Sequence, residues 1–296
     1  MKILITGDKG FVGSATANYI HDLPKGDKKN MLGEIIPEQQ IFGYDLMDGY
    51  DIRDHAQLDD FVASYKPDRI LHLAAIARFS DADKDPHLAF ETNVLGTMNV
   101  SAVARKYHIP VVYSSTGSVY MPINHEPPIT EEFEGKGNSV YGCTKYMGEE
   151  YIRKNCNPYI ILRYAHLYGK EKRHHGLIGG FLSRIERGLA PTLYGGKQSN
   201  DFTYIEDVAR ANWLALSAPY DAWNQTYNIG TGEEITAEEA GRLVCKLAGY
   251  DGKIDVEKGR EVDPQRFVFD TSKAKNYLGF EAAYTFERGL KEMFNE

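Results

Sequence analysis

The sequence predicts an α/β protein built on a doubly wound parallel sheet, with a smaller C-terminal α/β lobe. Three observations carry that prediction. Short apolar runs alternate with amphipathic stretches through the first half of the chain. The first run ends in a glycine-rich turn that opens a helix, Gly7-Asp8-Lys9-Gly10-Phe11-Val12-Gly13. The second run ends on an acid, Asp45. Strands that alternate with helices at these spacings form right-handed βαβ units, which require a parallel sheet.

In chain order, Lys2–Thr6 is a buried strand. Phe11–His21 follows as a helix with Val12, Ala15 and Ile20 at apolar positions. Pro24–Gln40 is polar, with Gly and Pro near both ends, and is longer than an ordinary connection. It reads as a surface insertion. Ile41–Asp45 is the second strand, Gln57–Tyr65 a helix, and Arg69–Ala74 the third strand. A long helix over Ala89–Tyr107 leads to a fourth strand, Pro110–Ser114. Tyr141–Lys154 is a helix and Tyr159–Arg163 a strand. After Gly169 the rhythm becomes irregular, starting with a charged loop at Lys170–Gly176. The expected division is 1–169 and 170–296, with segments such as 201–231 returning to the first body.

Composition limits the function. Among 296 residues, 42% are hydrophobic and 26% charged, as in an ordinary globular protein. The net charge of −8 argues against a general nucleic-acid binder, which needs a basic surface. Cys143, Cys156 and Cys245 make an odd count without a CxxC, so neither a disulfide framework nor a metal site is expected. No apolar stretch is long enough for a membrane span, and the N-terminus lacks a signal-peptide pattern. A cytoplasmic location fits best.

The glycine loop directly follows a strand. Gly7 permits the tight turn, Gly10 lets backbone approach a pyrophosphate, and Gly13 allows close helix–strand packing. The spacing is G-x-x-G-x-x-G rather than G-x-G-x-x-G, and glycine turns of this kind also arise by chance. Asp45, at the end of the second strand, can hold the adenosine ribose hydroxyls and repel a 2′-phosphate, favouring NAD over NADP. The alternative is an acid that caps a turn. Tyr141 and Lys145 stand at i and i+4 and share a helix face. An ammonium there favours the phenolate and would lower its pKa, so that Tyr141 can exchange a hydroxyl proton. Thr116 lies just beyond a strand's C-terminal end, where open α/β sheets bind ligands. Turn formation is the bland reading of Ser114, Ser115 and Thr116.

These motifs, in this order, resemble the extended short-chain dehydrogenase/reductase family, in its nucleotide-sugar epimerase and dehydratase branch. The likeness is to UDP-glucose 4-epimerases and runs almost end to end. It includes HLAAIARFSDADKDP at His72–Pro86, ETNVLGTMNV at Glu91–Val100 and SSTGSVY at Ser114–Tyr120. YGCTKYMGE at Tyr141–Glu149, LRYAHLYG at Leu162–Gly169 and DFTYIEDVARA at Asp201–Ala211 continue it. YNIGTGEEIT at Tyr227–Thr236 and DTSKAKNYLGF at Asp270–Phe280 complete it. The resemblance implies a Rossmann-type doubly wound sheet with a C-terminal substrate lobe. It implies NAD held by Gly7, Gly10, Phe11, Val12, Gly13, Asp45, Asp51, Ile52, Leu73, Ala74, Ala75, Asn93, Ser114 and Tyr164, with Tyr141 and Lys145. It implies a catalytic group of Thr116, Tyr141 and Lys145. It places Arg78, Thr116, His166, Asn200 and Arg266 toward a nucleotide-diphosphate sugar. A homodimer through the Ala89–Tyr107 and Tyr141 helices is also implied.

Departures from the family pattern select the reaction. Dehydratases of this kind follow the Thr with Asp and Glu; here Gly117 and Ser118 stand there, and neither is an acid or base. Decarboxylases want a Glu at the second of these positions. The 3,5-epimerases and epimerase–reductases use a Cys nearby, and none is present. That leaves 4-epimerisation through transient oxidation at C4, or a one-way 4-dehydrogenase or 4-ketoreductase. A non-catalytic NAD-binding protein is the rival from another class. His166 replaces the usual Asn and Asn200 the usual Arg, a diphosphate ligand that an amide cannot match. Lys172, Arg173, His174 and His175 could supply donors instead.

Overall fold

The computed structural model describes residues 1–23, 39–121, 126–170, 176–259 and 266–294. The expected insertion at Pro24–Gln40 and the basic run Lys172–His175 therefore fall largely or wholly outside the described residues.

β1 (Lys2–Thr6) is buried after its first residue, as a strand covered on both faces must be. α1 (Phe11–Asp22) starts on Gly10, which offers no side-chain cap. β2 (Gln40–Tyr44) ends one residue before Asp45, whose carboxylate accepts from Met47 N and caps a short turn. α2 (His55–Tyr65) is capped by Asp54 and stops at Lys66 in the left-handed region. β3 (Arg69–His72) leads to α3 (Phe79–Lys84) and α4 (Pro86–Phe90). A π turn at Glu91–Leu95 separates α4 from α5 (Gly96–Tyr107), so the helix expected over Ala89–Tyr107 is interrupted. β4 (Val111–Thr116), α6 (Val140–Asn155) and β5 (Tyr159–Tyr164) follow.

Beyond them lie β6 (His166–Tyr168), α7 (Gly176–Glu186), β7 (Thr192–Tyr194), β8 (Ser199–Asn200) and β9 (Phe202–Tyr204). α8 (Ile205–Leu216) and β10 (Gln225–Ile229) return to the main body. β11 (Ile235–Thr236), α9 (Ala237–Leu247), β12 (Asp255–Glu257), α10 (Ser272–Leu278) and α11 (Phe286–Phe294) complete the chain.

The six-stranded sheet has the order β10-β5-β4-β3-β1-β2, with every pairing parallel. The chain steps from β1 out to β2, then crosses back to β3. The switch point therefore lies between β1 and β3, where open parallel sheets bind ligands. Short pairs β6·β9, β8·β11 and β7·β12 build the second lobe. One apolar core joins Ile3, Leu71 and Ile160 of the sheet to Phe181, Val244 and Leu290 of that lobe. A second core on the opposite face packs Leu58, Val62, Val100 and Ile152. No helix among the described residues is long and apolar enough to cross a membrane.

Candidate active site

The glycine loop fits a pyrophosphate by exclusion of side chains. Gly7 has φ +74°, and a Cβ there would lie 2.8 Å from Ala74 N. A Cβ on Gly13 would lie 2.1 Å from Gly7 O. β1, the β3 exit and α1 thus meet at a point where only glycine fits. The uncapped N-terminus of α1 leaves backbone donors and the positive end of the helix dipole at that point. Phe11 and Val12 form its first turn.

Asp45 does cap a turn, and its Oδ2 also accepts from Lys9 N at 3.2 Å. A carboxylate has further acceptor capacity, so this does not compete with a ribose. Asp8 and Asp48 stand nearby, each within 3.7 Å of Lys9 Nζ. Burial pushes the Asp8 carboxyl up, and Lys9 opposes that. Asp51 spends its carboxylate on Arg53 and is held low by that pair. Ile52 is buried against Gly96.

Polar bonds fix the backbone from Leu73 to Ile76. Thr6 Oγ1 accepts from Leu73 N and Ala74 N, each at 3.2 Å. Asn93, fully buried in the π turn, accepts from Ile76 N (2.8 Å) and donates to Ile76 O (3.1 Å) and Thr144 Oγ1 (3.0 Å). Its amide is spent on the protein, so it can serve a cofactor by holding this loop beside Ala75. His72 bridges Thr6 and Thr97, and burial, then Lys145, lowers it to about 3, so it is neutral. Ser114 donates to His72 O. Tyr164 gives its hydroxyl to Asn212 Oδ1 at 2.6 Å, which leaves its ring as the available surface.

Thr116 stands beside Tyr141, and Tyr141 and Lys145 both lie in α6. Thr116 ends β4 and caps the next turn, accepting from Ser118 N at 3.2 Å. The Thr116 hydroxyl donates to Ser118 Oγ at 3.2 Å and lies close enough to the Tyr141 phenol to favour its ionised form. Lys145 lies on the same face of α6, 2% exposed, with Nζ 4.2 Å from the Tyr113 ring centroid. One expectation is corrected. Tyr141 is not lowered: burial raises it to about 12, with the nearby Thr116 hydroxyl acting against the rise. Burial lowers Lys145 itself to about 7, opposed by Glu149.

On the far side, a Cβ on Gly117 would lie 2.2 Å from Phe267 Cζ and 2.9 Å from Phe269 Cζ. Both rings are buried. His166 is exposed and sets its ring edge-on to Phe267, with centroids 5.4 Å apart. Arg78 is exposed at the start of α3, whose Phe79 ring meets Tyr141 edge-on. Arg266 forks onto Glu234 (2.7 and 2.6 Å) and reaches Glu126 at 3.0 Å. Asn200 pairs with Ile235 between β8 and β11. Asp201 beside it is buried and clamps Thr231 and Gly232. Phe267, Phe269, His72 and Glu149 were not singled out from sequence. Glu149, at i+4 from Lys145, carried the signal that could have found it.

A doubly wound sheet with a glycine cradle at its switch point and an acid after β2 defines a dinucleotide-binding α/β enzyme. The chain belongs to the NAD dependent epimerase/dehydratase family, which it matches over residues 3–230, and NAD is its cofactor. A Methanocaldococcus jannaschii protein, provisionally named a UDP-glucose 4-epimerase, is 31% identical, covering 99% of this chain and 97% of its own. The UDP-glucose 4-epimerase of Thermotoga maritima, solved with UDP-glucose, superposes with a TM-score of 0.85 at 27% identity, covering 100% of this chain and 98% of that one. The Thermus thermophilus UDP-glucose 4-epimerase, solved with NAD, gives 0.81 at 26%, with the same coverage. Further relatives include dTDP-glucose 4,6-dehydratases.

Proposed function

We propose that the protein is a nucleotide-sugar 4-epimerase in which Tyr141, Thr116 and Lys145 act on the C4 hydroxyl. The observation that carries this reading is Thr116 at the end of β4, beside the Tyr141 phenol, followed by Gly117 shut under Phe267 and Phe269. Bound NAD supplies the hydride acceptor and donor. Tyr141, once it has given up its own phenolic proton, takes the O4 proton and returns it, and Thr116 holds the same oxygen. Lys145, one turn along the same helix face, would favour the phenolate whenever it is held as an ammonium. Gly117 and Ser118 supply no acid or base for loss of water, which separates this chain from its dehydratase relatives.

The N-terminal 1–169, with segments such as 201–231, is read as the NAD-binding body. Residues 170–296 are read as mainly the nucleotide-diphosphate sugar lobe. Gly7, Gly10 and Gly13 hold the pyrophosphate in this reading, and Asp45 holds the ribose. A homodimer is supported by the exposed apolar side chains of Phe90, Leu95 and Met147 on α4, the π turn and α6.

The test is incubation with UDP-, dTDP-, GDP- and CDP-sugars, following product epimers and absorbance at 340 nm. Epimers without net NADH are expected, and Tyr141→Phe is expected to abolish turnover while keeping NAD binding. Stoichiometric NADH formation or loss would instead make the enzyme a one-way oxidoreductase. Full activity of Tyr141→Phe would overturn the roles of all three residues.

A further inference from the structure

One turn along α6 from Lys145 lies a charged cluster with no direct part in the proton chemistry. Glu149 has no exposed surface. Its Oε1 accepts from Ser115 Oγ at 2.5 Å and Arg163 Nε at 2.9 Å. Its Oε2 accepts from Arg163 Nη2 at 2.6 Å and Arg153 Nη2 at 2.7 Å. Ser115 and Arg163 are register partners on β4 and β5, one step before the pair Thr116 and Tyr164. The carboxylate therefore pins α6 to the sheet one residue before Thr116. Stability alone does not explain the cluster, since buried ion pairs can often be exchanged for apolar packing without loss.

Glu149 also stands one helical turn from Lys145 on the same face. The groups around Lys145 can be named element by element. β4 offers the Tyr113 ring, and β3 offers His72, held neutral. α6 offers Tyr141, protonated, and Glu149. Arg163 of β5 and Arg153 of α6 reach the site through Glu149. In this set Glu149 is the anion that favours the ammonium.

We propose that Glu149 is a positioning residue of the reaction centre: its carboxylate seats α6 on Ser115 and Arg163 and supplies the negative charge that holds Lys145 as an ammonium. This rests on the reading of Lys145 as the partner of Tyr141. Burial works against that ammonium, and Glu149 is the opposing influence.

The experiment reads Lys145 itself, by NMR of side-chain-labelled lysine in the full chain with NAD, assigned with Lys145→Met. The pH dependence of kcat is measured beside it. Glu149→Gln is expected to lower the Lys145 midpoint by about one pH unit and to shift the alkaline limb of kcat the same way. Arg153→Met removes a cation from the carboxylate and is expected to move both upward. Arg153 is partly exposed, so this variant decides the matter if Glu149→Gln fails to fold. A lysine midpoint unmoved in the folded variants overturns the proposal. A midpoint that moves without the kcat limb supports the electrostatic link and overturns the placing of Lys145 in the reaction.

Discussion

At the scale of the residue, the site sets function against stability. Lys145 is buried with a value near 7, below the 10.5 of an exposed lysine. Between those values the unfolded chain binds the proton that the folded chain refuses, so stability rises with pH across that window. The penalty is complete below the folded value. Lys145→Met removes it, and should raise Tm more at about pH 6 than at about pH 9.5 while turnover is lost. Equal gains at both pH values would contradict the burial of an ammonium at this position. Gly117 gives the second prediction. Gly117→Asp restores the residue type of a dehydratase but drives a carboxylate into Phe267 and Phe269. Overpacking alone costs about 1–3 kcal/mol. The variant should melt earlier and release no dehydrated sugar, checked by thermal denaturation and product mass. The placing of Thr116 at a strand end and of Tyr141 and Lys145 on one helix was legible because both are local patterns. Phe267 over Gly117 was not, because the fold alone brings those distant segments together. The direction of the Tyr141 shift was misread for a related reason: spacing shows a neighbouring charge but not the depth of burial.

At the scale of the element, the alternating strands and helices of the first half were legible to within a few residues, because each carries its own hydrophobic period. β10 was not assigned as a strand. Gln225–Ile229 mixes polar and apolar residues, and its strand form comes from pairing with β5. The π turn was also hidden. Glu91–Leu95 has an ordinary helical sequence, and its π turn carries the Asn93 amide bonded to Ile76 and Thr144. The same helices carry a prediction about assembly. Phe90, Leu95 and Met147 are 40–48% exposed on neighbouring elements. Grouped on adjacent elements, such side chains form a surface that the proposed second copy of the chain would cover. The protein should sediment at twice its chain mass of 33.4 kDa, and Leu95→Glu with Met147→Glu should halve that. A wild-type monomer at micromolar concentration would remove the dimer from the reading.

At the scale of the whole molecule, late segments of the chain are tied into the first half. α8, late in the chain, packs on α1, and Asn212 bonds both Thr16 and Tyr164. β10 covers the edge of β5. Trp213 and Trp223 lie in the same core as Ile3 and Leu71 from the sheet and Val244 and Leu290 from the second lobe. A chain cut after Gly169 would expose the β5 edge and strip α1 of its partner helix. An open strand edge of that kind invites aggregation. Residues 1–169 alone should therefore be insoluble or lack a cooperative transition. The full chain should unfold in one step, with tryptophan fluorescence and far-ultraviolet circular dichroism giving the same midpoint. NAD, bound only by the folded state, should raise both midpoints together. Two separated midpoints, with NAD moving one alone, would show that the lobes fold independently and that the shared core does not couple them.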